Sequence, residues 1–186
     1  GSLHPGAGGA QGLRGVRPTP LPAPEQAQHR WLPSMAFPPY RYVPGLQPHP
    51  LAHEGGHRCA GAPAIGAWTA DLPLERDVAW LGGLDLFDHR YFWESHELWE
   101  QRWHQVDRGH PTRDLLQGMI QAAATVLRLH AGDARAAGRL LGRVELRLGA
   151  VAAVGPGCGF DLAAFVEALR GHVAGGPYPV AGAVRR

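Results

Sequence analysis

Tyr91-Phe92-Trp93-Glu94-Ser95-His96-Glu97-Leu98-Trp99-Glu100-Gln101-Arg102-Trp103 decides the fold. The stretch holds no glycine and no proline, and it mixes aromatic bulk with ionisable groups. That pattern predicts one helix from Tyr91 to about Val106. At about 100° per residue, Phe92, His96, Trp99 and Trp103 share a narrow stripe. Glu100 lies one step round from His96, and Glu97 lies further out, near Trp93 and His104. A histidine and a glutamate four apart on the aromatic side of a helix cost on the order of a few kcal/mol to bury without partners. The sequence therefore predicts something that holds them: each other, a neighbouring helix, a metal or a ligand.

Working outward, Asp71 is the expected N-cap of a preceding helix, with Pro73 in its first turn. Leu74, Val78, Leu81 and Leu84 make its apolar stripe, Gly82-Gly83 weakens it, and Asp88-His89-Arg90 turns the chain. Downstream, Gly109-His110-Pro111 ends the second helix and Thr112 is the expected cap of a third, running to about His130. Its core stripe is Leu116, Ile120, Ala123 and Leu127, bordered by Gln117 and Gln121. Gly132 closes it, and Asp133 caps a fourth helix to about Val154, with Leu140, Leu141, Val144, Leu148 and Val151 on one side. Arg135, Arg139, Arg143 and Arg147 stand four apart on another side, as a solvated face or an anion-binding strip. Gly155-Pro156-Gly157 breaks the chain. Asp161 caps a fifth helix that packs through Leu162, Phe165, Val166 and Leu169, with Gly171 as its stop. The fold expected is all-α, a compact antiparallel bundle of about five helices.

The first 66 residues are different material. They hold 12 of the 17 prolines and only two acidic residues, Glu25 and Glu54. Without apolar periodicity they predict a flexible or extended Pro/Gly-rich arm, ahead of a helical domain over 67–175 and a flexible tail over 176–186. Gly1-Ser2 reads as a protease scar or a fragment end. Met35 is either an internal residue or the natural start, with residues 1–34 then vector-derived or a misassigned upstream reading. Tyr40, Tyr42 and Val43 offer anchors that would bring His49, His53 or His57 near a pocket. The bland alternative is a solvated tail that happens to contain histidines.

Leu86 through Glu100 resembles the signature of a bacterial and archaeal family known as domain of unknown function 309. That signature reads Phe-Asn-x-Gly-x-Tyr-aromatic-Glu-Ala-His-Glu-x-hydrophobic-Glu, followed by a Trp. Leu116-Gln117-Gly118-Met119-Ile120-Gln121-Ala122-Ala123 is similar to the family's second block, and Arg128-Leu129-His130-Ala131-Gly132-Asp133 to the turn before its next helix. Together these blocks span roughly residues 74 to 172. The resemblance implies an all-helical fold and supplies no activity. His89 stands where the family's glycine is expected, a departure that bears on the geometry of the turn.

The chemistry turns on His96-Glu97-x-x-Glu100, which differs from the zinc-protease pattern His-Glu-x-x-His at its last position. A histidine and a glutamate four apart still suit one divalent metal, with His49 and His57 the favoured further ligands and His104 and His130 also available. The catalytic set is His96, Glu97, Glu100, Gln117 and Gln121: a glutamate as general base on water, His96 orienting it or binding metal, and the glutamines positioning substrate. The reaction class is hydrolytic. The alternative is a protein- or ligand-binding helical module in which the cluster is structural, with the six tryptophans filling the core or lining a groove.

Composition narrows the rest. Net charge is +2 with histidine neutral, all basic residues are arginine, and that balance disfavours nucleic acid as a partner. Cys59 and Cys158 form no spacing motif, which disfavours a disulfide scaffold and a cysteine zinc site. No apolar run approaches a membrane span and no signal-peptide pattern is present, so the expectation is a cytoplasmic protein acting on a small molecule or a protein partner, with self-association left open. No nucleophile elbow and no phosphate loop occur.

Overall fold

A computed structural model describes residues 17 to 155 and 157 to 186. The expectations for the first 16 residues and for Pro156 lie outside them. Five α-helices make up the body: α1 (Val78–Asp88), α2 (Phe92–Gln105), α3 (Pro111–His130), α4 (Ala134–Val154) and α5 (Leu162–Val173). Short 3-10 turns stand at Leu74–Arg76 and Ala181–Val184, and no strand occurs among the described residues. Each helix packs against the next. Residue pairings show chain reversal: Asp77 meets Arg102, Trp80 meets Trp99 and Phe87 meets Phe92. In the next hairpin the first half of α3 meets the second half of α4, Asp114 with Arg147 and Gly118 with Leu148.

Local chemistry sets the boundaries. Asp133 and Asp161 cap α4 and α5 as expected, accepting from the N–H groups of Ala136 and Ala164. Two expected caps move. Asp77, not Asp71, caps α1, because Pro73 begins a separate 3-10 turn. His110, not Thr112, caps α3, its ring accepting from the Thr112 N–H with Pro111 in the first turn. The left-handed residue in the α1–α2 turn is Arg90 (φ 68°), while His89 has φ −94°. The departure from a glycine-bearing turn therefore falls on Arg90.

The core runs through Trp80, Leu84, Phe87, Phe92, Trp99, Leu116, Met119, Val144, Leu148 and Phe165, all at 1% exposure or less. Two glycines permit its close approaches. A Cβ on Gly83 would stand 2.0 Å from the Trp99 indole nitrogen, and one on Gly118 would stand 2.2 Å from a Leu148 methyl. Gly83 thus seats Trp99 rather than weakening α1, and Trp99 donates its indole N–H to the Trp80 carbonyl.

α1 is covered nearly all round, from Gly82 through Asp88. Its outer cover is irregular chain. Residues 17–66 form no helix or strand, and Leu21, Met35, Tyr42 and Val43 bury their side chains against the body. Asp85, fully buried, accepts from Trp31 N (2.7 Å), Leu32 N (2.9 Å) and Arg30 Nε (3.1 Å). Asp88 takes Ala181 N (2.7 Å) on one oxygen, and Gly182 N (2.8 Å) and Trp31 Nε1 (2.9 Å) on the other. Two carboxylates three residues apart thus hold the arm and the C-terminal tail. Where the sequence suggested a fraying end, Phe160 and Arg185 form an antiparallel bridge.

Burial lifts the Asp88 carboxyl to about 6, against its ordinary 3.8, and its three donors only partly offset this. Between those values the folded chain holds a proton that the unfolded chain has released. Asp88's contribution to stability should therefore decline as pH rises through that window. Asp88→Asn, which does not titrate, should lack this slope. In urea melts at about pH 4 and about pH 7, the natural chain should lose ground to the variant at the higher pH; an unchanged gap would show that Asp88 titrates normally.

Candidate functional site

The inward face of α2 is not the stripe its aromatics suggest. Phe92, Glu94, Ser95, Leu98, Trp99 and Arg102 are buried, whereas His96, Glu97 and Glu100 are half-buried. At about 100° per residue the buried arc centres near Ser95 and Arg102, roughly a quarter turn from the centre of the Phe92–His96–Trp99–Trp103 stripe. Trp93 and Trp103, both partly exposed, pull the apparent apolar direction toward the flank. The buried ionisable groups of this helix are thus Glu94 and Arg102, and the predicted cluster lies at the edge of the core.

Arg102 reaches back to the start of α1. Its Nη2 and Nε donate to Asp77 Oδ1 (2.9 and 3.2 Å), and its Nη1 donates to the Gly66 carbonyl (3.0 Å) and Gln105 Oε1 (2.9 Å). Glu94 reaches into the arm. Its Oε1 accepts from Tyr42 N (2.9 Å) and from His57 Nε2 (2.8 Å). The Cys59 N–H donates to His57 Nδ1 (2.8 Å), which assigns the histidine proton to Nε2. Glu94 Oε2 is buried with no hydrogen-bond partner, and burial raises the carboxyl's pKa while His57 and Tyr42 N–H pull it down. Glu94 also lines a cavity of only about 10 Å3 with Cys59, Leu98 and Gln101. The Cys59 thiol is pushed up to about 11, chiefly by burial and then by the charges of Glu94 and Glu97.

His96, Glu97 and Glu100 come together. One ligand atom from each lies within 4.8 Å of the others. His96 Nδ1 is 3.3 Å from Glu97 Oε1, yet the two are not aligned for a hydrogen bond, and Nδ1 is a buried atom with no partner. The histidine and Glu97 side chains are 27% and 22% exposed. Trp103 Nε1, on the same flank one turn beyond Glu100, is a second buried donor without an acceptor.

The other predicted residues go elsewhere. His57 is buried and both of its ring nitrogens are engaged, so it does not join the cluster as a metal ligand. His49 also stands outside it: its Nδ1 accepts from Leu51 N and Ala52 N, and its ring packs edge-on against Trp93 at 5.4 Å. His53 is exposed, with Nδ1 accepting from Gly55 N. His104 is exposed, and His130 Nε2 donates to the Thr19 carbonyl. Gln117 and Gln121 line a groove between α3 and α4, and none of His96, Glu97 and Glu100 lines that groove. Glu94 was missed altogether. The signal for it lay in the family pattern, whose aromatic-Glu-Ala-His-Glu run places a glutamate at that position.

Fold and site together define a small all-helical domain carrying a histidine–carboxylate group on the flank of its second helix. Residues 80–140 match the family model described as Domain of unknown function (DUF309). The match is narrower than the span the sequence blocks suggested. It takes in most of α1, all of α2 and α3 and the first turns of α4, and leaves out the arm, α5 and the tail. No curated protein and no solved structure gives a significant match. Among the described residues, no helix is long and apolar enough to cross a membrane.

The two glutamates should separate cleanly under mutation. Glu94→Ala removes the shared acceptor of the Tyr42 N–H and the His57 Nε2–H and should cost about 2–6 kcal/mol, at about 1–3 for each buried donor left unpaired, with faster amide exchange at Tyr42. Glu97→Ala, measured with chelator present, should cost under about 1 kcal/mol. Equal losses in urea melts would contradict the division between buried clamp and flank site.

Proposed function

We propose that this domain binds one divalent transition-metal ion through His96, Glu97 and Glu100 and uses it to activate water for a hydrolytic reaction. The observation that carries the proposal is the unpartnered, buried Nδ1 of His96 beside two carboxylates, with all three ligand atoms inside 4.8 Å. An imidazole nitrogen with two carboxylate oxygens suits zinc, manganese or iron better than calcium or magnesium. Three protein ligands leave coordination positions for water, whose acidity rises on the ion.

The competing reading is a structural contact in a non-catalytic binding module. It draws on the 3.3 Å approach of His96 to Glu97, an ion pair when the histidine is protonated. At this exposure such a pair stabilises by about 1 kcal/mol or less. Metal analysis of chelator-free protein decides between the two. The proposal expects about one ion per chain, lost in His96→Ala and Glu100→Ala, and a melting point that rises on reloading the natural chain only; saturation at 100 times Kd stabilises by about 2.7 kcal/mol. Variants that merely melt earlier, from a natural chain that takes up no ion, would establish the structural contact instead. With metal bound, hydrolysis of a panel of ester, amide and phosphoester substrates should disappear on chelation and return on reloading.

A further inference from the structure

The groove between α3 and α4 is the larger cavity and has no part in the cluster on α2. Its volume is about 770 Å3, inside the roughly 300–1,000 Å3 typical of small-molecule sites. One wall is the first half of α3, with Asp114, Gln117 and Gln121; the other is the second half of α4. Along α4 the wall alternates in character. Leu146, Ala150 and Val151 are apolar, and Arg143 and Arg147 are cationic.

Three features point to a ligand. Gln121 Oε1 is a buried acceptor without a donor, and Arg147 Nε is a buried donor without an acceptor. Such atoms cost about 1–3 kcal/mol each when left unpaired. Leu146 is 80% exposed, the most exposed large apolar side chain among the described residues. The charge balance favours an anion: Asp114 is already paired with Arg147, and Arg143 has no ion pair among the described residues. The apolar part is three side chains of a single helix, too little for a protein interface, which buries about 800 Å2 per partner.

We propose that the α3–α4 groove binds a small amphiphilic anion, its carboxylate or phosphate head held by Arg143 and Arg147 and its apolar body lying along Leu146, Ala150 and Val151. Gln121 Oε1 accepts from a hydroxyl or amide N–H of the ligand where one is present. The arginines spaced by four on α4 thereby acquire a division of labour, with Arg135 and Arg139 outside the groove and Arg143 and Arg147 lining it.

The probes are decanoate and decyl phosphate, titrated into the full chain by calorimetry, with decyltrimethylammonium as the cationic control. The proposal expects saturable one-to-one binding of at least one anion, and the two heads separate a carboxylate from a phosphomonoester ligand. Arg143→Gln should weaken binding at least about tenfold, and Ala150→Trp, at an exposed position, should block it. His96→Ala should leave it unchanged, which keeps this result independent of the metal proposal. The idea is overturned if neither anion saturates, if the cation binds as well, or if both groove variants bind normally. It is also overturned if Ala150→Trp alters the oligomeric state of a chain that ignores the probes, since the groove would then seat a second copy.

Discussion

Four buried carboxylates hold this molecule together by accepting what irregular chain has to give. Asp77, Asp85, Asp88 and Glu94 are at most 2% exposed. An ionised carboxylate taken from water costs several kcal/mol unless donors surround it. A backbone N–H in a segment without helix or strand partners faces the same difficulty. Here each resolves the other: Asp85 takes two N–H groups of the arm, Asp88 two of the tail, Glu94 one more of the arm, and Asp77 the first turn of its own helix together with Arg102. The helices supply acceptors at fixed positions, and the irregular segments supply donors that would otherwise require water. A segment with no hydrophobic periodicity therefore has a defined path over the bundle.

Helix existence was legible in the sequence because its signals are local. The aspartates before α4 and α5 act within a turn of where they stand, and both mark real helix starts. The stripe of α5 was legible for a related reason: Leu162, Phe165, Val166 and Leu169 bury one apolar side, and all four are in the core. α1 and α2 were harder, since each is covered on more than one side. Periodicity counts apolar residues, so Asp85, Asp88 and Glu94 look solvent-facing until the arm and tail are placed over them. The same blindness turned the apparent inward face of α2 toward His96. Trp93 meets rings of the arm, Tyr42 edge-on at 5.2 Å, His49 at 5.4 Å and His57 at 6.4 Å. Sequence spacing along α2 has no means of showing that.

The candidate site was legible in part, and the division is instructive. His96, Glu97 and Glu100 lie on one helix, so their proximity follows from helical geometry. Gln117, Gln121, His49 and His57 lie on other segments, and bringing them in required tertiary knowledge. A polar residue bordering a helix stripe faces one of two flanks, and the stripe alone does not say which. For Gln117 and Gln121 that flank belongs to the groove with α4. For His57 the deciding fact is the turn after it. Arg58 and Cys59 both have positive φ, at 49° and 52°, and this costly backbone delivers the Cys59 N–H to one ring nitrogen while the other meets Glu94.

That strained turn bears on how the flank of α2 is kept in shape. A site whose ligands come from one helix gains nothing from convergence of several elements, so its precision rests on the rigidity of that helix and of the side chains beside it. α2 is fixed at its C-terminal end by Arg102 and at its N-terminal end by Glu94. Between them, Trp99 is locked into the space left by Gly83. Both anchors lie on the side of the helix away from His96 and Glu100. The half-exposed cluster is thus carried by a helix whose buried side is tied at both ends, while its own polar atoms take little part in folding. His96 Nδ1 in the cluster, and Trp103 Nε1 on the same flank, are left without partners. Folding alone would favour pairing or removing such atoms, so their presence on a well-anchored helix is the pattern expected where geometry is held for something outside the chain.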